Sequence, residues 1–292
     1  MKIAIFGKKF NESFNASLSS LFNKLCQHNA EIYIYEPFYN YLCSNKSFTL
    51  CSVKLYNHPE EITSDFNFII SLGGDGTFLE TVQYIRNTGV PVIGINTGRL
   101  GFLANIAAEE IDSSIDSLFA GNYELEKRSL IEFLNNRNPF SSFPFGLNEI
   151  TVQKRDTSLI TIETYVGENY LSTYWTDGLI ISTPTGSTAY SMSVGGPILA
   201  PDCKALIISP IASHNLTVRP IVITDNLEIK LKIEARAGSF MATIDSRSHE
   251  FNSGTEINLK LASFAINMVK LNDHSIYNTI RKKLMWGADI RN

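Results

Sequence analysis

Phe66-Asn-Phe-Ile-Ile-Ser-Leu-Gly-Gly-Asp-Gly-Thr77 is the stretch whose reading decides the fold. Phe66 to Leu72 (FNFIISL) is a short, near-continuous apolar run, the pattern of a strand buried on both faces. It ends in glycines, and a helical pattern follows from Thr77 to Arg86. Glycine adopts backbone angles closed to other residues and lets a ligand approach the main chain. Placed between the carboxyl end of a parallel strand and a helix N-terminus, such a loop offers amide N–H groups to an anion, and phosphate is the obvious one. The loop is neither the G-x-G-x-x-G dinucleotide fingerprint nor a G-x-x-x-x-G-K-[ST] phosphate loop. Its unusual member is Asp75. A carboxylate repels phosphate, so it needs a purpose: metal binding, acceptance of a proton from an attacking hydroxyl, or, more simply, capping of the helix in a tight turn.

Strands and helices alternate on either side of this segment. Lys2 to Phe6 and Glu31 to Tyr35 are apolar and β-rich, and Pro91 to Ile95 is a further short run. Phe14, Leu18, Leu21, Phe22 and Leu25 recur at helical spacing, with Asn11 or Ser13 as N-cap candidates. The order predicts a doubly wound α/β domain with a parallel sheet over residues 1–123. Gly94-Ile-Asn-Thr-Gly-Arg-Leu-Gly-Phe-Leu103 follows the next strand and is again punctuated by glycine. Two such loops at adjacent strand ends suggest one crevice, where ligands bind in open α/β sheets.

The second half has a different period. Leu227 to Ala235 and Ile257 to Leu261 alternate apolar with polar residues, as sheets with one wet face do. Leu159 to Val166 and Gly178 to Ser182 are further strands. A β-rich domain is expected over 124–270, with a helical tail from Ser275 to Leu284 returning, in 271–292, to the first domain. Asp177-Gly-Leu-Ile-Ile-Ser-Thr-Pro-Thr-Gly-Ser-Thr-Ala-Tyr-Ser-Met-Ser193 runs from a strand into a helix opening near Ser187. Its hydroxyls and free amides suit ribose, amide or phosphate groups, or simple capping and turn chemistry. Tyr190 suits stacking on a flat ring or packing in a core. Asn148 and Glu149, heading another strand, have the chemistry to read a base edge or a ribose.

Bulk properties narrow the partners. The 292 residues are 44% hydrophobic and 18% charged, which places the chain among ordinary globular proteins of two domains. A net charge of −4 gives no general attraction to nucleic acid or anionic membranes, so phosphates must be held by local groups. No stretch approaches the roughly 20 apolar residues that cross a bilayer, and the N-terminus does not read as a signal peptide. The cytoplasm is the default compartment. Cys26, Cys43, Cys51 and Cys203 form no C-x-x-C pair and are expected as reduced, packed thiols.

Taken together, these segments resemble the NAD kinase family over nearly the whole chain. GGDGTFLE, GINTGRLGFL, the Asn-Glu pair before a strand, DGLIISTPTGSTAYSMSVGGPI, the stretch ending in Arg219-Pro220 and the tail RKKLMWGADIR stand in the family's order. GGDG by itself is shared with diacylglycerol, sphingosine and phosphofructokinases, so a related kinase of a lipid or small alcohol is the alternative. A lipid substrate would ask for an apolar entry surface or membrane helix, and none is visible. The resemblance implies an active site between the two domains, NAD as acceptor, ATP or polyphosphate as donor, a divalent cation (Mg²⁺) and a homo-oligomer, dimer or tetramer. It implies Asp75 as catalytic base and Gly73, Gly74, Gly76 and Thr77 as the phosphate loop, Asp75 and Gly76 also touching the dinucleotide. Asn148, Glu149, Asp177, Thr185, Thr188, Ala189, Tyr190, Ser191, Met192 and Ser193 match dinucleotide-contacting positions. It supplies no metal ligands.

Three positions depart from the pattern. Trp175 stands where many members have arginine, Asp245-Ser246-Arg247 replaces a common Asp-Gly-Gln, and Glu80 occupies a place that is basic in several bacterial members. His214, Arg219 and Asp245 each have a structural reading beside a ligand-binding one.

Overall fold

The computed structural model describes residues 1–44, 52–135, 138–271 and 275–287. The chain forms two compact units, one built from Met1–Lys127 and Ile266–Asn292, the other from Arg128–Ala265.

In the first unit, β1 (Lys2–Gly7), α1 (Asn15–Gln27), β2 (Glu31–Tyr35), α2 (Glu36–Ser44), β3 (Val53–Tyr56), β4 (Phe68–Leu72), α3 (Asp75–Ile85), β5 (Val92–Ile95) and α4 (Ile111–Phe119) follow in order. The five strands are parallel neighbours in the order β3-β2-β1-β4-β5. Pleat alternation between two covered faces explains why the central runs of β1, β4 and β5 are apolar nearly throughout, while the edge strand β3 exposes Lys54 and Leu55. Ile3, Ile5, Phe68 and Ile70 share a core with α1 and α4 residues such as Leu18, Leu21 and Ile115. On the other face, Phe6 meets Tyr84 of α3 (ring centroids 5.0 Å), and Thr81 of α3 donates a hydrogen bond to Ser71 at 2.9 Å. Helices on both faces make the sheet doubly wound. The strand order reverses at β1 and β4, and the carboxyl ends of those strands form the crevice where such folds bind ligands. Gly73 and Gly74 stand at one end, Lys8 at the other.

The second unit is β-rich. Its elements are β6 (Tyr123–Phe133, which begins in the first unit), β7 (Phe145–Gly146), β8 (Glu149–Lys154), β9 (Ile160–Val166), β10 (Asn169–Thr176), β11 (Gly178–Ser182), α5 (Tyr190–Ser193), β12 (Ala205–Ile211), β13 (Ile221–Thr224), β14 (Ile229–Ala235), β15 (Ser239–Ile244), β16 (Arg247–Asn252) and the start of β17 (Glu256–Leu271). One antiparallel sheet runs β13-β12-β11-β8-β15-β16. β10, β9, β14 and the first residues of β17 pair antiparallel beside it. β14 alternates buried and exposed residues at every position, as its period of two predicts. Ile150, Leu179, Ile208 and Phe240 of one sheet share a core with Ile162, Leu231 and Ile257 of the other, a two-sheet packing. The chain then continues along β17 and ends in α6 (Ile276–Leu284), with Val269 and Leu271 buried in the core of the first unit.

Two sequence expectations need correction. The cysteines are not packed reduced thiols throughout: Cys43 and Cys203 are exposed free thiols, and Cys26 is disulfide-bonded; Cys51 lies outside the described residues. Cysteine's usual burial follows from its apolar thiol, but Cys43 is exposed on a short helix among the described residues. The helix expected to open near Ser187 is instead a 3₁₀ turn over Thr185–Thr188, with α5 beginning only at Tyr190. Thr188 donates its hydroxyl to the Thr185 carbonyl, and Ala189 leaves the helical region at φ −104° and ψ −130°.

Candidate functional site

In the first unit, the five buried residues of β4 deliver the chain to Gly73, whose N–H donates to the Ile95 carbonyl at 3.0 Å and ties the loop to the end of β5. α3 begins immediately, capped by Gly74 with no side-chain hydrogen bond to its first amides. A Cβ added to Gly74 or Gly76 would meet nothing within 4 Å, so packing accounts for neither glycine. Their value is the free space above a helix N-terminus, where amides and helix dipole favour an anion. Thr77, by contrast, is turned inward and buried.

Asp75 does not cap its own helix. Its carboxylate reaches the second glycine-punctuated loop, where Phe102 N–H donates to Oδ2 at 2.9 Å and Leu103 and Ala104 N–H donate to Oδ1 at 2.9 and 3.0 Å. The Lys283 ammonium of α6 approaches Oδ2 at 3.4 Å and lies over the Phe102 ring, 4.4 Å from its centre. Gly101 is required by this clasp, because a Cβ there would collide with Asp75 Oδ1. The two loops that the sequence placed at adjacent strand ends are thus joined through Asp75. Lys8, at the end of β1, pairs with Glu80 at 2.6 Å, so the acid standing where a base is common carries a neighbouring cation. Sequence reasoning missed Lys283; the signal was the basic RKK run in the tail.

In the second unit, one end of the six-stranded sheet collects the remaining candidates. Glu149 heads β8, opposite Ser182 at the end of β11, while Ile244 at the end of β15 pairs with Ile150. Thr183 donates its N–H to the Asn148 carbonyl at 2.9 Å and its hydroxyl to the Leu147 carbonyl at 2.6 Å. The Asn148 backbone is therefore fixed, while its carboxamide makes no hydrogen bond among the described residues. Gly186 lies so close to the Asn148 carbonyl that a Cβ would overlap it.

Most hydroxyls of the Thr/Ser loop are engaged internally. Ser187 donates to the Pro184 carbonyl at 2.6 Å, and Ser191 shares a hydrogen bond with Ser209 at 3.1 Å, both fully buried. Thr185 differs, being buried with a hydroxyl that has no hydrogen-bond partner among the described residues. Tyr190 and Ser193 are exposed, Thr188, Ala189 and Met192 partly so. Tyr190 accepts a hydrogen bond from Gln153 at 2.9 Å and leaves its ring open to solvent. Asp177 pairs with Lys154 at 2.7 Å. Arg219 turns both its bonds onto carbonyls of its own loop, Leu216 and Val218, at 2.8 and 2.7 Å, so it serves that turn rather than a carboxylate. His214 is exposed, and Trp175 stands out at 54% exposure.

The electrostatic centre of this unit is a pair of carboxyls. Glu149 is buried and its Oε2 has no hydrogen-bond partner among the described residues. Burial, then the nearby Asp245 charge, push its carboxyl up to about 8, against a weaker pull from the Tyr190 backbone N–H. Burial also raises Asp245, but there the N–H groups of Leu147, Asn148 and Glu149 and the Arg247 charge act in the opposite direction. Two like charges this close do not both ionise at neutral pH. Asp245 has the donors and carries the charge; Glu149 keeps its proton. A protonated carboxyl both donates and accepts, which suits a hydroxyl or a ring nitrogen.

Comparison with known proteins gives a consistent result. Residues 5–123 match the ATP-NAD kinase N-terminal domain and residues 147–271 the ATP-NAD kinase C-terminal domain. A protein of Flavobacterium psychrophilum named NAD kinase is 44% identical, and one of Bacteroides fragilis with the same name is 43% identical, each over the full length of both chains. Among solved structures, yeast NADH kinase complexed with NADH superposes with a TM-score of 0.86 at 22% identity, covering 100% of this chain and 89% of that one. An NAD kinase from Archaeoglobus fulgidus in complex with ATP gives 0.75 at 24% identity, covering 98% and 99%. With relatives this similar end to end, both halves matched in order and the doubly wound and β-rich units in place, the chain belongs to the NAD kinase family.

Proposed function

We propose that this protein transfers the γ-phosphoryl group of ATP to the 2′-hydroxyl of the adenosine ribose of NAD, giving NADP and ADP. The observation that carries the reading is the uncapped N-terminus of α3, with two glycines that packing does not require and an aspartate between them, in a chain whose full-length relatives are named NAD kinase. Amides of residues 74–77 bind the triphosphate, and their fixed dipoles stabilise the charge spreading in the transition state. Asn148, Glu149, Asp177 and the exposed members of 185–193 hold the dinucleotide. The Thr185 hydroxyl, which has no hydrogen-bond partner among the described residues, supports that assignment.

Asp75 accepts the proton of the attacking hydroxyl. Three of its lone-pair directions are taken by amides at 2.9–3.0 Å, and the fourth, on Oδ2, meets only the longer Lys283 contact. The ribose hydroxyl displaces that ammonium, which is then free to face the transferring phosphoryl group. No group of three or more His, Cys, Asp or Glu side chains able to hold a metal occurs among the described residues. A divalent cation, when bound with ATP, would neutralise charge on the triphosphate. The protein works as a homo-oligomer, for which the exposed Trp175, Leu216 and Val222 provide apolar surface, and in the cytoplasm, where both substrates are available.

The test is direct. Purified protein with NAD, ATP and Mg²⁺ should form NADP, and Asp75→Asn should lower kcat at least ~10²-fold, the usual contribution of a positioned base, with NAD binding retained. Absence of NADP rejects the reaction; near-normal turnover by the variant rejects the base.

A further inference from the structure

We infer that Asp245, on the tight turn joining β15 to β16, is a positioning residue that shapes the Asn148–Glu149 segment for the dinucleotide. This rests on the reading that Asn148 and Glu149 bind NAD. The turn consists of Asp245 and Ser246 alone, since Ile244 pairs with Arg247 across it. From there the Asp245 carboxylate accepts three backbone N–H groups in a row: Leu147 on Oδ2 at 2.9 Å, and Asn148 and Glu149 on Oδ1 at 2.8 and 3.2 Å. The Asp245 N–H donates in return to the Glu149 carbonyl at 3.0 Å.

Arg247 extends the brace from the other side of the turn. It donates to the Phe143 carbonyl and, at 2.7 Å, to the Phe145 carbonyl, with its guanidinium 5.3 Å from the centre of the Phe143 ring. Carbonyls at 143 and 145 and amides at 147–149 are thus held by two oppositely charged side chains two residues apart. An arginine at 247 reaches the two carbonyls from two different nitrogens of one planar guanidinium and carries a charge that a glutamine at that place would lack.

This arrangement costs something locally. Asp245 sits at φ 51°, a left-handed conformation that a residue with a Cβ avoids. Glycine, asparagine and aspartate are the residues such a tight turn accepts there, and of these only aspartate brings a charged acceptor. Aspartate there adds three charge-assisted hydrogen bonds onto one segment. That segment ends in a carboxamide and a carboxyl oxygen that both lack a partner among the described residues. The brace explains how these two groups are kept aimed without being consumed.

The experiment compares Asp245→Asn with Asn148→Ala in the full-length protein. Asparagine keeps the size of the side chain and loses one acceptor oxygen and the charge. The KM for NAD should rise about ten- to a hundredfold, as loss of charge-assisted bonds to a binding segment does. The KM for ATP and kcat should stay within about twofold, a split that general loss of structure would not give. If Asn148→Ala raises the KM for NAD and Asp245→Asn does not, the inference is overturned while the site reading stands. If Asn148→Ala itself leaves that KM unchanged, the site reading is what fails. Should Asp245→Asn not fold, amide hydrogen exchange of the unsubstituted protein decides: slow exchange at 147–149 without NAD supports the brace, and fast exchange there overturns it.

Discussion

Glu149 shows how a single side chain turns burial into chemistry. Its folded-state carboxyl, at about 8, lies above the value it has in an unfolded chain. The folded protein therefore binds a proton that the unfolded chain releases, and stability falls as pH rises from about 4.5 to about 8. Each pH step of one between those two values weakens the fold by at most about 1.4 kcal/mol. Glu149→Gln mimics the protonated form and removes the titration. The variant should be more stable than the parent at pH 8, by up to about 4 kcal/mol, and nearly equal to it at about pH 4.5. Thermal melts of both proteins across that range measure the gap; parallel curves would refute the assignment. At about pH 7 the KM for NAD should change less than about threefold, because glutamine also donates and accepts.

Among the elements, the loop after β5 is specified by what it must let through. Gly101 faces the Asp75 carboxylate with no room for a Cβ, whereas Gly98 on the same loop faces open space. Gly101→Ala should push the carboxylate off its amides, lowering kcat about tenfold or more and stability by about 1–3 kcal/mol, the usual range for overpacking. Gly98→Ala should leave the melting temperature within a few degrees of the parent. Equal effects of the two substitutions on turnover would mean that the clasp does not hold Asp75 for the reaction. Both glycines looked alike in sequence, since each only punctuates GINTGRLG; the structure separates them by what stands opposite.

For the molecule as a whole, the first unit is discontinuous. Val269 and Leu271 are buried with the strands and helices of residues 1–119, although nearly 150 residues intervene in the chain. A fragment ending at Lys127 lacks these side chains and α6. It should show helical far-ultraviolet dichroism without a cooperative thermal transition, because removing buried large side chains costs about 2–5 kcal/mol each, of the order of a domain's whole stability. A cooperative melt of residues 1–127 would contradict this.

Local patterning sufficed for β1, β2, β4 and β5, the glycine loop before α3 and the alternation of β14, since each follows from a short run of side chains choosing between two faces; β3, a short edge strand with Lys54 and Leu55 exposed, carries no such pattern. The doubly wound and β-rich character of the two halves was legible for the same reason. Less was legible wherever a residue's partner is remote in the chain. The Thr/Ser loop reads as a row of free hydroxyls, yet Ser187 and Ser191 are engaged by Pro184 and Ser209. Asp75 reads as a helix cap or a base, but only the folded chain brings residues 102–104 and Lys283 to it. Asp245 reads as the end of a strand until the sheet sets it beside Leu147, almost a hundred residues away. Periodicity and turn chemistry act over a few residues and are written in order along the chain. Hydrogen-bond satisfaction and burial of charge depend on which strands become neighbours, and that was settled only when the sheets formed.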